Sequence, residues 1–149
     1  MKTMNSKILS QIINLTTQAG EIIMDLRANS SDYSIKADNT PVTLADKASH
    51  ELIVNTLQKL TPNTPILSEE SSHIPFSTRK SWDEYWLIDP LDGTRDFIDG
   101  SPDFCISIAL IRDNYPIFGL IYSPFNKVHY YRFENNASVK LVNKTTSTI

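Results

Sequence analysis

The chain has 149 residues, 40% of them hydrophobic and 21% charged, with a net charge of −3 at pH 7. That length supports one domain with a true core, and that balance excludes a disordered chain. The slight acidity and the lack of a basic face argue against nonspecific nucleic-acid binding. Cys105 is the only cysteine, so no internal disulfide can form. Its apolar neighbours Phe104, Ile106 and Ile108 predict a buried structural thiol.

Taken in chain order, Ile8, Leu9, Ile12, Ile13, Ala19, Ile22, Ile23 and Leu26 recur at three- and four-residue steps. That spacing predicts a helix over about 5–28. Ser10, Gln11, Asn14, Thr16, Thr17 and Gln18 interrupt the apolar residues, so neither a targeting signal nor a transmembrane segment is expected. Cytoplasmic residence fits, at most with peripheral contact at the inner membrane face. A short strand over Tyr33–Lys36 and turn chemistry at Asp38-Asn39-Thr40-Pro41 follow. Ala45, Ala48, Leu52, Ile53, Leu57 and Leu60 predict a second helix after Thr43, closed by Pro62 and Pro65. Pro65-Ile66-Leu67 reads as a short buried strand running into Ser68-Glu69-Glu70, and 71–81 as a mobile polar loop. Beyond residue 85, Tyr85–Ile88, Phe104–Ile111, Ile117–Tyr122 and Val128–Phe133 are rich in Ile, Val, Phe and Tyr and predict a strand meander. The tail from Val139 shows no clear finishing element. Two helices followed by several strands predict an α+β fold, with the helices packed on a largely antiparallel sheet.

Nine of the seventeen acids fall within residues 69–103, opposed there only by Arg79, Lys80 and Arg95. A charge run is usually a solvated face, and Asp96 and Asp99 keep that reading. Glu69 and Asp89 differ, because each follows a short apolar strand and both can emerge at one sheet edge. Asp92 can swing back toward Asp89 after the Pro-bearing turn. Carboxylates converging with a backbone carbonyl make an all-oxygen site, which suits a hard cation such as Mg²⁺. His50, His73 and His129 are isolated, and no zinc-type spacing occurs. Gly93 allows close backbone approach, and amides beyond it can donate to an anion. Acids for a cation beside amides for an anion describe a site for a metal-bound phosphate.

These residues resemble a known family. Asp89-Pro-Leu-Asp-Gly-Thr94 preceded by Trp86-Leu-Ile, together with Ser68-Glu-Glu70 and the stretch from Lys36 to Asp46, is similar to the inositol monophosphatase superfamily of Mg²⁺-dependent, lithium-sensitive phosphomonoesterases. Within it the stretches are most similar to the 3'(2'),5'-bisphosphate nucleotidases, which remove the 3'-phosphate of adenosine 3',5'-bisphosphate, a by-product of sulfate assimilation. The resemblance covers the first helix to about residue 133. It implies the first domain of a layered α/β/α/β/α sugar-phosphatase fold. It implies that Glu69, Asp89 and the Leu91 carbonyl bind one Mg²⁺, and that Asp89 and Asp92 share a second. Thr94, hydrogen-bonded to Asp46, would orient and activate the attacking water. Glu70 would support the metal's water shell, and the amides of Gly93 and Thr94 would hold the substrate phosphate, close to Glu69, Leu91 and Asp92. The chemistry agrees, since paired metals about 4 Å apart both neutralise a phosphate monoester and stabilise the departing oxygen. Arg95 would serve as a counter-charge rather than a second phosphate contact.

Members of that family continue into a second domain carrying a Trp-Asp-x-Ala-Ala motif, whose aspartate completes the second metal site. Here Trp82-Asp83 is followed by Glu84-Tyr85 and lies upstream of the metal motif. The expectation is therefore an N-terminal metal-binding domain over 1–149 without its substrate domain, exposing apolar surface and with very low or absent activity alone. A sugar phosphatase acting on inositol monophosphate is an alternative. A non-catalytic remnant, or half of a split enzyme that pairs with itself or with a separate C-terminal half, is another.

Overall fold

The computed structural model describes residues 4–29, 33–35 and 41–149. Residues 36–40, part of the upstream motif, lie outside them. The first helix, α1 (Ser6–Asn29), starts where the Asn5 carboxamide accepts the Ile8 N–H at 3.0 Å, an ordinary N-cap. A two-stranded ribbon, β1 (Tyr33–Ile35) antiparallel to β2 (Pro41–Thr43), leads into α2 (Leu44–Leu60). Then come β3 (Ile66–Ser68), the one-turn α3 (Phe76–Arg79), β4 (Glu84–Asp92) and α4 (Thr94–Asp99). The chain finishes with β5 (Cys105–Arg112), β6 (Tyr115–Ser123), β7 (Val128–Phe133), β8 (Val139–Val142) and β9 (Thr145–Thr148).

Strands β3 to β9 form one seven-stranded sheet in sequence order. Only β3–β4 is parallel, and the other pairs are antiparallel. The α+β expectation holds, with α1 and α2 packed together on one face. Alternation along the strands sends Trp86, Ile88, Ile106, Ile108, Leu110, Phe118 and Leu120 into the core beneath Ile12, Ile23, Ile53 and Leu57. Gly20 on α1 is required by packing, because a Cβ there would lie 2.4 Å from the Tyr122 ring.

The opposite face of the sheet carries no helix among the described residues. Leu87 and Ile121 are 42% and 48% exposed, and together with Leu67, Ala109, Gly119 and Tyr130 they line a shallow apolar depression. A patch of this kind is a liability for an isolated soluble domain.

Two segments differ from the sequence reading. Residues 71–81 contain a helical turn, in which Pro75 accepts the amides of Thr78 and Arg79 at 3.0 and 3.1 Å. The tail is a β-hairpin, not an element-free end. Its two-residue turn places Asn143 (φ 47°) and Lys144 (φ 67°) in the left-handed region, as a type I′ turn demands. Lysine at a position that favours glycine, and a last strand of exposed Thr and Ser, hid this hairpin from pattern reading.

His129 is buried, stacked 4.1 Å from Tyr122, with its Nε2 3.0 Å from the Thr16 hydroxyl. Burial lowers its pKa to about 4. Protonation therefore favours the unfolded chain. The stability it confers is complete above about pH 6.5 and is lost as pH falls from there toward 4. We expect a loss of about 1–3 kcal/mol across that window. Urea denaturation at pH 7 and pH 4.5 checks this, and His129→Phe should remove this component of the pH dependence. An identical pH dependence in the two proteins would contradict it.

Candidate active site at the β3–β4 edge

The parallel register aligns Ile66 with Trp86 and Ser68 with Ile88. Glu69, just past β3, and Asp89, within β4, consequently lie side by side, and the Glu69 N–H donates to the Ile88 carbonyl at 3.1 Å. Trp86 anchors this edge from within by donating its indole N–H to Thr61 at 2.9 Å. The apolar run before each acid thus does what its sequence implies, by driving a strand through the core and ending in charge.

Asp92 reaches the same side by a less obvious route. Residues three apart on a regular strand point to opposite faces. Here Asp89 pairs with Ser107 and Asp92 with Cys105, so three steps on β4 match two on β5. The extra residue is a β-bulge, and it restores parity between the two aspartates. The bulge frees backbone groups that need partners. The Asp89 carboxylate accepts the Leu91 N–H at 3.2 Å. The Thr94 hydroxyl donates to the Leu91 carbonyl at 3.1 Å, and the buried Ser49 hydroxyl donates to the Pro90 carbonyl at 2.8 Å.

Crowding of acids has an electrostatic cost. Burial, and then the charges of Glu69 and Asp92, push the Asp89 carboxyl up to about 7, and a hydrogen bond with Glu69 adds to the rise. Asp89 would thus carry a proton over much of the acid range unless a cation replaced it. Among the described residues, no trio of Asp, Glu, His or Cys is already closed around one point. The shared edge is preformed while a closed cage is not.

Gly93 follows with φ +84° and caps α4, whose Phe97 N–H returns to the Gly93 carbonyl at 2.9 Å. Asp46 lies in the first turn of α2, 4% exposed, on the helix that packs against β4. The hydroxyl of Thr94, the partner expected for Asp46, donates to the Leu91 carbonyl. Glu70 is half-buried just beyond Glu69, and Asp96, Asp99 and Arg95 are exposed.

Three residues at the site escaped the sequence reading. Ser49 and His50 lie three and four positions after Asp46, on the same helix face. Ser49 holds Pro90, and His50 Nδ1 is hydrogen-bonded to the Ser68 hydroxyl at 2.9 Å, one residue before Glu69. His50 is therefore not isolated but a packing residue that supports the acidic edge, and helical spacing from Asp46 points to it. Ser107 faces Asp89 across β4–β5. Cys105 is a correction too. It is half-buried on the Asp92 side of the sheet, not in the core, with its Sγ 4.0 Å from the Asp92 carboxylate. Burial raises its thiol pKa, which disfavours the thiolate.

No helix among the described residues is long and apolar enough to cross a membrane.

Comparison with known proteins bears on the family and the fold. The chain is 41% identical over 131 residues to the 3'(2'),5'-bisphosphate nucleotidase CysQ of Haemophilus influenzae, covering 88% of this chain and 49% of that protein. It is 42% identical over 132 residues to CysQ of Escherichia coli K12, covering 87% and 53%. Among solved structures, CysQ of Bacteroides thetaiotaomicron superposes with a TM-score of 0.73 at 34% identity, over 91% of this chain and 51% of that one. A Thermotoga maritima IMPase superposes at 0.78 with 26% identity, over 90% and 51%. The chain spans about half the length of the curated relatives it matches. The inositol monophosphatase family profile matches residues 4–144, and so the chain belongs to the inositol monophosphatase family.

Proposed function

We propose that this chain is the metal- and phosphate-binding part of a Mg²⁺-dependent phosphomonoesterase that removes the 3'-phosphate of adenosine 3',5'-bisphosphate. The observation that carries the reading is that Glu69 and Asp89 stand side by side on a parallel strand pair, with Asp92 turned to the same side by a one-residue bulge. An all-oxygen donor set of this charge suits Mg²⁺, and the proton that Asp89 otherwise retains marks a place where a cation is needed. Glu69, Asp89, Asp92 and the Leu91 carbonyl would hold one or two ions. Bound Mg²⁺ would supply charge neutralisation of the phosphate and of the departing oxygen.

The chain's own groups would do the rest. Gly93 and Thr94 present backbone amides to the phosphate from a turn that only glycine forms without strain. Thr94 and the buried Asp46 would orient the attacking water, with Asp46 as the proton acceptor and Thr94 as the link once its hydroxyl turns from the Leu91 carbonyl to Asp46. Glu70 would steady the water around the acids. Ser49 and His50 hold the two strand ends at a fixed separation.

Similarity to the CysQ nucleotidases supports the nucleotide as substrate. Inositol monophosphate is the second reading, supported by IMPase structures that superpose equally well. The bare sheet face supports a requirement for further polypeptide, whether the rest of a longer chain, a second copy or a separate half. The test is phosphate release from adenosine 3',5'-bisphosphate and from inositol monophosphate, with Mg²⁺ and with or without Li⁺. We expect the 149-residue chain alone to turn over little, with residual activity dependent on Mg²⁺, inhibited by Li⁺ and favouring the nucleotide. Activity that persists in chelator would overturn the metal reading. Vigorous turnover by a monomer would overturn the need for further polypeptide, and light scattering during the assay separates these outcomes.

A further inference from the structure

Arg27, in the last turn of α1, is remote in sequence from every residue so far given a role. Its guanidinium carbon lies 4.9 Å from the centre of the Phe104 ring and 5.4 Å from that of Phe97. Its Nη2 donates to the Ser101 carbonyl at 2.7 Å. The two rings are buried and meet edge to face at 5.4 Å. One side chain thus joins the first helix to both ends of the segment that follows the candidate phosphate turn.

That segment backs directly onto the turn. A Cβ built on Gly93 would lie 2.8 Å from the Asp103 carbonyl and 3.2 Å from the Phe104 Cα. The backbone at 103–104 is therefore the wall against which Gly93 rests. Helix α4 has six residues, too few to be stable by local bonds alone. Something outside it must fix its position, and Arg27 bonds to the loop at Ser101 and covers Phe104 beside that wall.

We propose that Arg27 is a positioning residue that locks the Asp92–Thr94 turn in place through Phe97, Ser101 and Phe104. The proposal rests on the reading of that turn as the phosphate site. Arg27 touches neither phosphate nor metal. It makes the turn rigid before ligand arrives, so its removal weakens phosphate binding while sparing Mg²⁺ capture by Glu69 and Asp89 on β3 and β4.

The experiment uses the full chain and inorganic phosphate in the presence of Mg²⁺, followed through the amide resonances of Gly93 and Thr94. Mg²⁺ affinity is measured separately without phosphate, and hydrogen exchange is followed across residues 94–104. Arg27→Met keeps the apolar stem but loses charge and donor. We expect phosphate affinity to fall about tenfold, on the scale of one charged hydrogen bond plus a cation–π contact. Exchange in 94–104 should rise, with Mg²⁺ affinity unchanged within about twofold. Arg27→Lys, which keeps a cation over the rings, should recover part of the loss. Wild-type phosphate affinity in Arg27→Met, or parallel loss of Mg²⁺ and phosphate binding, would overturn the positioning role alone. Failure of the wild-type chain to bind phosphate with Mg²⁺ would overturn the phosphate reading, and the role of Arg27 with it.

Discussion

Asp89→Asn is expected to lower Mg²⁺ affinity on the order of 100-fold or more, and to remove any phosphatase activity, while leaving the metal-free chain at least as stable as wild type. The two halves of that result have one cause. Asp89 lies between Glu69 and Asp92 at the end of a buried strand, and its carboxyl is pushed up to about 7 by burial and by those two charges. Its raised pKa means that the contribution of Asp89 to metal-free stability is fully present below the ordinary carboxylate range and is lost as pH rises from about 4 through 7. Asparagine fills the same space without the repulsion, so at pH 8 in chelator the variant should melt at or above the wild-type temperature. Mg²⁺ must displace the Asp89 proton, so wild-type affinity should weaken about tenfold per pH unit below 7. Calorimetric titration with Mg²⁺ at pH 6 and 8, together with thermal melts in EDTA, measures both. Undiminished Mg²⁺ binding by the variant would remove Asp89 from the metal site. A large loss of metal-free stability would show that its role is structural.

Gly93→Ala should destabilise the fold by about 1–3 kcal/mol and abolish phosphate binding, for a reason that lies in the backbone. Gly93 has φ +84°, a conformation that L side chains rarely adopt. The added methyl would also meet backbone, not a flexible side chain, at 2.8 Å from the Asp103 carbonyl. Relief requires the 92–94 turn and the 103–104 strand entry to move apart. Gly119→Ala is the matched control. It lies within β6 on the open sheet face, has no atom within 4 Å of the new methyl, and should change stability by less than about 0.5 kcal/mol. Urea denaturation of the two variants beside wild type gives the comparison. Equal effects at positions 93 and 119 would show that the turn is not strained by a side chain and that glycine there is dispensable.

Much of this site could be read from local pattern. An apolar strand that ends in Glu69, another that ends in Asp89, and a glycine four residues later are local statements, and local preferences held in the fold. Helical spacing fixed α1 and α2 to within a residue or two at either end. Other parts could not be read locally because they depend on pairing. Asp89 and Asp92 share a side only because β5 offers two residues against three. The face chosen by Cys105 follows from the same register, and its apolar neighbours gave the opposite impression. The β8–β9 hairpin stands on backbone hydrogen bonds to β7, which polar Thr and Ser residues do not announce.

By itself, then, the sequence determined α1, α2 and the strands β3 to β7, the burial of one helical and one strand face, and the delivery of acids to strand ends, since each of these is set by residues within a turn or a strand of one another. Only the tertiary structure decided that Asp92 joins Glu69 and Asp89, that Ser49 and His50 brace the edge, and that Arg27 reaches the loop at Ser101. Those outcomes depend on strand register and on contacts between segments tens of residues apart, quantities that a one-dimensional pattern does not carry.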